Sequence, residues 1–512
     1  MASSSNDGRL LDITLVDISG KEIVKGTWHG HCKAHELFQA AYASKPGFLC
    51  KLLNGTKELD PQNDLASLWL WQNCGHLTVV WMAGAAQKRQ SANHPAFAAV
   101  KSDGSVITWG HPDAGGDSSL VEHQLREGVV QVVGSDWAFA AVKSDGSVIT
   151  WGDAANGGDS SLVEHQIQEG VVQVVGSELA FAAVKADGSV ITWGDADAGG
   201  VSSLVEHRLQ EGVVQVVGNS RAFAAVKSDG SVITWGDASL GGDSSRVEHR
   251  LQKGVVQVVG SKEVFAAVKA DGSVIAWGRA YAGGDSSLVE HRLQEGVVQV
   301  VANFWAFAAV KSDGSIITWG DPDAGGDSSR VEHRHQEGVV QVVANFWAFA
   351  AVKSDGSVIT WGDADAGGDS SLIEHQLQEG VVQVVGNCWA FAAVKSDGSV
   401  ITWGGADAGG DSSLVEHRLQ EGVVQVVGSK GAFAAVKADG SVITWGDASQ
   451  GGDSSGVEHR LQEGVVQVVA NELAFAAVKS DGSVITWGEA DEGGDSSRVE
   501  HRLQEGVIGV VS

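Results

Sequence analysis

The chain has 512 residues, of which 43% are hydrophobic and 19% charged, and its formal net charge is −29 at pH 7. This composition supports a globular core and excludes a disordered polar chain. The negative field repels phosphate backbones and anionic lipid surfaces, so neither nucleic acid nor a membrane is expected as a partner.

The four cysteines, Cys32, Cys50, Cys74 and Cys388, show no CxxC spacing, which argues against a disulfide framework and against a zinc site. No window approaches the roughly 18 apolar residues that a membrane helix needs, and the N-terminus lacks the pattern of a signal peptide. We therefore expect a cytoplasmic or nuclear protein, with residues 1–8 as a flexible N-terminus.

Residues 9–83 predict a small α+β domain with the element order ββ, α, β, β, β. Hairpins are indicated around Ser19-Gly20-Lys21 and around Asn54-Gly55. A short apolar segment, Leu65 to Trp71, precedes a closing strand, "HLTVVW". The helix is predicted from apolar residues at helical spacing before Pro46-Gly47, and these are Ala34, Leu37, Phe38, Ala41 and Tyr42.

The turn "ISGK", the stretch "KLLNGTKELD" and the strand "HLTVVW" together resemble the ubiquitin-like β-grasp family. The resemblance implies a module that docks with partners of the ubiquitin system. After Trp81 the chain continues as "MAGAAQKRQS", without the terminal Gly-Gly that conjugation needs. We expect this domain to bind partners and not to be conjugated to them.

Residues 84–95 are predicted to be a linker, and from Ala96 to Ser512 the chain repeats with a period of 42 residues. A "WG" dipeptide marks each repeat. The ten units are numbered 1 to 10 here by their tryptophans, Trp109, Trp151, Trp193, Trp235, Trp277, Trp319, Trp361, Trp403, Trp445 and Trp487.

Each unit predicts three strands. "AFAAVK" and "SVITW" are joined by Asp-Gly, a strong hairpin signal, and "VVQVV" is the third run. Because these strands are apolar on both faces, we expect sheets packed from both sides. In "GGDSSLVEHRLQEG", Ser413 and Glu416 match a helix capping box and Gly422 matches a helix stop, which predicts a short helix or helical turn; a fourth strand is the alternative.

The run "VVQVVGNSRAFAAVKSDGSVITWGD" resembles the repeat of the regulator of chromosome condensation family, which builds seven-bladed β-propellers. The fold class is therefore predicted as mainly β, with residues 96–512 forming a β-propeller-like ring of ten units. A smaller ring with spare units and an open β-solenoid are the alternatives, because propellers usually have about four to eight blades. Closure is favoured because the first unit lacks its "VVQVV" strand while Val507 to Val511 stand unpaired at the other end.

No catalytic residue, cofactor or metal is predicted. The recurring tryptophans are interpreted as core and not as a stacking platform. The Glu-His pairs, such as Glu122-His123, recur ten times, whereas a catalytic triad is singular.

A calcium-like spacing of carboxylates at Asp363, Asp365 and Asp369 fails in too many other units to indicate a calcium site. The departures are Ala155, Val201, Arg279 and Tyr281. These acids are therefore interpreted as solvated turn residues.

Two positions vary while the frame around them stays constant. They follow "VVQVV" by two residues and read Asp136-Trp137, Glu178-Leu179, Ser220-Arg221, Lys262-Glu263, Phe304-Trp305, Phe346-Trp347, Cys388-Trp389, Lys430-Gly431 and Glu472-Leu473. We predict that they line one rim and bind a partner; neutral drift among duplicates is the alternative. The predicted contact residues are Asp136, Trp137, Ser220, Arg221, Phe304, Trp305, Phe346, Trp347, Cys388 and Trp389.

The sequence therefore predicts a non-catalytic protein-interaction scaffold, with a ubiquitin-like docking module and a repeat platform for a protein partner. The alternative comes from the resemblance to the repeat family. It implies a guanine-nucleotide exchange factor for a small GTPase, or a non-catalytic component of a HECT-type ubiquitin ligase system.

Overall fold

The computed structural model describes residues 10–16, 22–29, 37, 49–54, 57–58, 76–82, 94–334 and 337–512. Contacts divide the chain into two compact parts, Met1–Arg89 and Gln90–Ser512. Among the described residues, no helix has the length and apolar character needed to span a membrane.

The N-terminal part contains a five-stranded sheet of order β2-β1-β5-β3-β4. Its strands are β1 (Leu10–Val16), β2 (Glu22–His29), β3 (Leu49–Asn54), β4 (Lys57–Glu58) and β5 (His76–Met82). Strand β1 is antiparallel to β2 and parallel to β5, while β3 is antiparallel to β4 and β5. The antiparallel strand pairing of both predicted hairpins is confirmed, while the turn residues Ser19-Gly20-Lys21 and Gly55 lie outside the described residues.

The predicted helix of this part is represented by one described residue, Leu37, which is helical and fully buried. The rest of that helix and the segment from Leu65 to Trp71 lie outside the described residues. Ile13, Leu15 and Leu77 are buried on the sheet.

In the C-terminal part the described strands form ten three-stranded antiparallel sheets. In chain order the strands are β6 (Ala96–Lys101), β7 (Val106–Gly110), β8 (Val129–Gly134), β9 (Ala138–Lys143), β10 (Val148–Gly152), β11 (Val171–Gly176), β12 (Ala180–Lys185), β13 (Val190–Gly194), β14 (Val213–Gly218), β15 (Ala222–Lys227), β16 (Val232–Gly236), β17 (Val255–Gly260), β18 (Val264–Lys269), β19 (Val274–Gly278), β20 (Val297–Ala302), β21 (Ala306–Lys311), β22 (Ile316–Gly320), β23 (Val339–Ala344), β24 (Ala348–Lys353), β25 (Val358–Gly362), β26 (Val381–Gly386), β27 (Ala390–Lys395), β28 (Val400–Gly404), β29 (Val423–Gly428), β30 (Ala432–Lys437), β31 (Val442–Gly446), β32 (Val465–Ala470), β33 (Ala474–Lys479), β34 (Val484–Gly488) and β35 (Val507–Val511).

Unit 8 shows how each sheet is built. Strand β26 carries the "VVQVV" run, the variable pair connects it to β27, and Asp-Gly connects β27 to β28. Asp397 accepts a hydrogen bond at Oδ1 from the Ser399 backbone N–H at 2.9 Å, and Gly398 takes a φ of +78°, which favours glycine in this turn. The Asp-Gly hairpin prediction is therefore confirmed.

Short helical turns follow the strands. The turns after the third strand of each unit are Pro112–Ala114, Ala154–Gly158, Ala196–Gly200, Ala238–Leu240, Ala280–Ala282, Pro322–Gly326, Ala364–Gly368, Ala406–Ala408, Ala448–Gln450 and Ala490–Gly494. Described turns later in the units are Glu164–Gln166, Glu206–Arg208, Glu248–Arg250, Ser329–Arg334, Ser371–Gln376, Glu416–Arg418, Glu458–Arg460 and Glu500–Arg502.

The later turns confirm the predicted helical turn and replace the fourth-strand alternative in the described residues. The capping box, however, is wrong: the turn Glu416–Arg418 has Val415 at its N-cap and no side-chain cap. Ser413 instead donates its backbone N–H to Asp411 Oδ1 at 2.9 Å. Because the Asp411 carboxylate accepts the backbone N–H of Ser413, that N–H is not available for a capping box. The helix therefore begins only at Glu416 and is one turn long.

The hydrophobic cores lie between neighbouring sheets. Phe391 and Trp403 of unit 8 pack against Ala348 and Ala350 of unit 7. Large side chains on one face thus meet small ones on the next, which lets the sheets approach closely. Trp403 is 4% exposed and donates its Nε1–H to the Gly367 carbonyl at 3.0 Å. The interpretation of the "WG" tryptophans as core is confirmed.

The repeat array closes on itself. Strand β35 pairs antiparallel with β6, so that Val510 lies opposite Ala99. Trp109 of unit 1 donates to the Gly493 carbonyl of unit 10 at 3.1 Å, and Arg502 forms an ion pair with Glu122 at 3.4 Å. Because the last strand completes the first sheet, the ring prediction is confirmed and the open solenoid is wrong.

Candidate protein-binding rim

The variable pairs lie at the same end of the strands as the turns after the third strands. This follows from the antiparallel order, in which the first and third strands of a unit run in the same direction and finish at the same end of the sheet. The two segments touch: the Asp321 N–H donates to the Trp305 carbonyl at 2.9 Å, and the Asp363 N–H donates to the Trp347 carbonyl at 3.0 Å. We call the variable pairs and these turns together the rim.

Successive pairs are held together by their backbones. The N–H of Asp136 donates to the carbonyl of Glu178 at 3.0 Å, and Glu178 donates to Ser220 at 3.1 Å. Cys388 donates in the same way to Lys430 at 3.2 Å. Residues 42 positions apart in the sequence thus become direct neighbours, and the prediction that the pairs line up is confirmed.

Tyr281, in the turn of unit 5, and the second members of the pairs in units 6 to 8 build a continuous aromatic surface. Ring centroids are 5.8 Å apart for Tyr281 and Trp305, 6.1 Å for Trp305 and Trp347, and 6.0 Å for Trp347 and Trp389. We call these four residues the aromatic stack. The first members stack beside it, with Phe304 and Phe346 at 3.9 Å.

The tryptophans of the rim differ in burial. Trp137 and Trp389 are 41% and 42% exposed. Trp305 and Trp347 are half-buried and pack against the cores on either side of them. The two inner members of the aromatic stack therefore support the fold as well as forming its surface, whereas Trp389 offers a free ring face.

Two predicted contact residues are corrected by their burial. Cys388 is 1% exposed, and burial raises the pKa of its thiol. Ser220 is 5% exposed and donates its hydroxyl to the Lys262 carbonyl at 2.5 Å. The small first-member side chains fit between neighbouring units, so these two residues stabilise the rim from within. For the other predicted residues, partner contact stays a prediction.

The acids of the turns hold backbone N–H groups. Asp363 Oδ1 accepts from the N–H groups of Asp365 and Ala366 at 2.8 and 3.2 Å. Asp369 Oδ1 accepts from the Ser371 N–H at 2.9 Å, and this bond lowers the pKa of the Asp369 carboxyl. The carboxylates thus cap the turns while leaving a negative field along the rim.

Sequence reasoning missed a contact in unit 5. Arg279 Nε forms an ion pair with Glu263 Oε2 at 3.1 Å, and its guanidinium carbon lies 5.7 Å from the Tyr281 ring. The Tyr281 hydroxyl also donates to Glu263 Oε2 at 3.1 Å. The available signal was that Arg279 and Tyr281 replace the usual turn acids beside the variable residue Glu263.

The Glu-His segments lie away from the rim and their described histidines are exposed, as at His165 and His207. Their glutamates form ion pairs with arginines of the preceding units. These pairs are Arg208–Glu248, Arg250–Glu290, Arg418–Glu458, Arg460–Glu500 and Arg502–Glu122. A structural use therefore accounts for these glutamates.

No protein-family model matches the chain, and no curated protein matches it. Solved structures similar to it include the computationally designed protein Ika8, at 13% identity over 70% of this chain and 96% of that one, with a TM-score of 0.29. Human WBSCR16 matches at 16% identity over 52% and 88%, with a TM-score of 0.31. Prp20p from Saccharomyces cerevisiae matches at 15% identity over 60% and 80%, with a TM-score of 0.32. These scores carry no argument about partner or activity, and both family resemblances stay predictions.

Proposed function

We propose that the protein is a non-catalytic interaction scaffold whose rim binds a protein partner across units 5 to 8. The observation that carries the proposal is the aromatic stack of Tyr281, Trp305, Trp347 and Trp389 on an otherwise constant frame. Aromatic side chains bury large areas at small cost in side-chain entropy, and tryptophan and tyrosine dominate the binding energy of many interfaces.

The rigidity of the rim supports this proposal. Backbone hydrogen bonds join neighbouring pairs, as between Lys430 and Glu472 at 2.8 Å, and the turns donate to the same loops. A surface fixed in this way loses little conformational entropy when a partner binds. The acidic chain, with its net charge of −29, favours a partner with a basic surface.

We further propose that the N-terminal sheet is a second docking module of the ubiquitin-like type. Its support is the strand order β2-β1-β5-β3-β4 with a parallel central pair, together with the motifs that resemble that family. In this proposal the chain acts in the cytoplasm or nucleus and brings two partners together.

Replacement of Trp389 by Ala tests the rim. Partners would be identified by proximity labelling and then purified, and their affinities for the wild-type and variant chains would be measured by calorimetry. We expect Trp389→Ala to weaken binding by about tenfold or more, the usual size of a lost aromatic anchor. Trp137→Ala is the matched control, because it has the same repeat position and similar exposure outside the aromatic stack. Equal affinities for all three chains would exclude units 5 to 8 as the interface.

The exchange-factor alternative has a separate test. The purified chain would be mixed with a panel of small GTPases loaded with a fluorescent guanine nucleotide. Accelerated nucleotide release would replace the scaffold proposal with catalysed exchange, whereas unchanged release across the panel supports the scaffold.

A further inference from the structure

A cleft of about 330 Å³ opens in the rim where the aromatic stack ends, at Trp389. It lies between the turns of units 7, 8 and 9. One tryptophan, three aspartates and one lysine are among the residues that line it. The lining includes Asp365, Trp389, Gly405, Asp407, Asp447 and Gln450.

The space of the cleft exists because two positions beside it hold glycine. Gly431 stands at the repeat position that holds tryptophan in units 6, 7 and 8, so the aromatic stack stops there. Gly405 stands where unit 7 has Asp363. With φ −57° and ψ 114°, Gly405 has a backbone conformation open to other residues, so the backbone does not require glycine at this position.

The polar atoms of the cleft suit a cation that donates hydrogen bonds. Asp365, Asp407 and Asp447 line the cleft, and hydrogen bonds from Ser449 lower the pKa of Asp447, which keeps it ionised near neutral pH. The ammonium group of Lys430 also lines the cleft but is held in an ion pair with Glu472. Gln450 Nε2 donates to Asp447 Oδ2 at 2.9 Å, and Gln450 Oε1 is buried, out of reach of a group that enters the cleft.

The same chain shows in unit 5 how such a position can be filled. Arg279 occupies the repeat position of Gly405, and its guanidinium lies between a carboxylate, Glu263, and an aromatic ring, Tyr281. In unit 8 the aromatic group is Trp389 and the carboxylate is Asp407, so the two partners have exchanged repeat positions. Both groups are present in unit 8, and the guanidinium is missing because Gly405 has no side chain.

We propose that this cleft binds an arginine side chain of the protein partner. A guanidinium can stack on the exposed face of Trp389 and donate to Asp407, the two kinds of group that hold Arg279 in unit 5. Desolvation beside a ring and several carboxylates strengthens both contacts. The inference rests on the proposed function, since it names the group that the rim recognises.

The probe is the blocked peptide acetyl-Gly-Arg-Gly-amide, compared with its citrulline counterpart, which keeps the shape but lacks the charge. The full chain would carry 5-fluorotryptophan, and the Trp389 resonance would be assigned from the variant Trp389→Phe. We expect the arginine peptide to shift that resonance, and the citrulline peptide to need about tenfold higher concentration for the same shift.

Gly405→Arg tests the site from the protein side. The new side chain is expected to occupy the cleft as Arg279 does in unit 5, and to weaken binding of the arginine peptide by about tenfold or more. Gly456→Arg is the matched control: it adds the same charge where a Cβ meets nothing within 4 Å, at a repeat position that carries Arg246, Arg330 and Arg498 in other units. The control should bind the peptide like the wild type.

The results separate this inference from the proposed function. Equal binding of the arginine and citrulline peptides, or unchanged binding by Gly405→Arg, would overturn the arginine site even if Trp389→Ala weakens partner binding. Selective binding of the arginine peptide, with partner affinity unaffected by Trp389→Ala, would show that the cleft binds a guanidinium but would refute units 5 to 8 as the partner interface, and with them the partner as the source of the arginine.

Discussion

At the scale of single residues, the same side chain has different roles according to its neighbours. The "WG" tryptophans are 4% exposed and donate to a carbonyl of the preceding unit, as Trp151 does to Gly115 at 2.9 Å. Trp389 is 42% exposed on the rim. The sequence separates the two kinds, because one recurs in every unit and the other does not. For Cys388 and Ser220, nothing in the sequence indicates that their small side chains are buried.

His94 is a residue whose charge state matters for folding. It stands beside the closing sheet, is 1% exposed and packs against the Phe139 ring at 3.9 Å. Burial lowers the pKa of His94 from 6.5 to about 4. The unfolded chain therefore takes up a proton at a higher pH than the folded chain does, and each proton so gained favours unfolding.

We predict that the free energy of unfolding falls as the pH drops from 6.5 towards 4, by up to about 3 kcal/mol from this group. Urea unfolding of the wild type and of His94→Gln across this range measures the effect. At pH 6.5 the variant should have a lower free energy of unfolding than the wild type. That free energy should fall less on acidification, because the glutamine side chain does not titrate. Parallel pH profiles for the two proteins would contradict the assignment.

At the scale of elements, strands, hairpins and the helical turn followed the local pattern, whereas the capping of that turn did not. "AFAAVK" and "SVITW" form β27 and β28 in unit 8, joined at the predicted Asp-Gly turn. The capping box failed because Asp411 competes for the N–H of Ser413. Ser412 in turn accepts at its hydroxyl from Thr402 Oγ1 at 2.9 Å, which ties the segment to the third strand. Such a side-chain contact depends on how the segment folds back.

The turn after β28 contains two glycines with different requirements. Gly409 has a φ of +89°, and an added Cβ would lie 2.8 Å from Phe433 Cδ2, whereas Gly405 has a φ of −57°. We predict that Gly409→Ala lowers the free energy of unfolding by about 2 kcal/mol or more, from backbone strain and the clash. Gly405→Ala should stay within about 0.5 kcal/mol of the wild type. Chemical denaturation of the two variants checks both values. Equal losses of unfolding free energy would refute backbone strain and the clash as the cause at Gly409.

At the scale of the whole repeat array, closure decides stability. Strand β35 supplies the edge that β6 otherwise exposes, and Arg502 pairs with Glu122 across the same junction. The side chains of that pair are 36% and 45% exposed, so its contribution is at most about 1 kcal/mol. The apolar contacts of β35, which include Val507 and Val510 in the core between units 10 and 1, hold the junction.

Two residues of β35 allow a matched test. Val510 is 6% exposed, whereas Ile508 on the same strand is 67% exposed. We predict that Val510→Asp lowers the free energy of unfolding by about 3 kcal/mol or more, because it buries a charge, and that Ile508→Asp changes it by about 0.5 kcal/mol at most. Val510→Asp should also produce higher-order species in size-exclusion chromatography, through the freed edge of β6. Similar behaviour of the two variants would mean that β35 does not hold the ring.

The order of residues by itself determined the repeat period, the strands, the Asp-Gly hairpins and the complementary chain ends. Each of these features depends on neighbours within one unit or on the chain ends themselves. Only the tertiary structure decided four other features: the aromatic stack, the burial of Cys388, the ion pair of Arg279 with Glu263 and the cleft beside Trp389. Each depends on the spacing between sheets and on side chains meeting across units, and that spacing exists only when the ring has closed and its cores have packed.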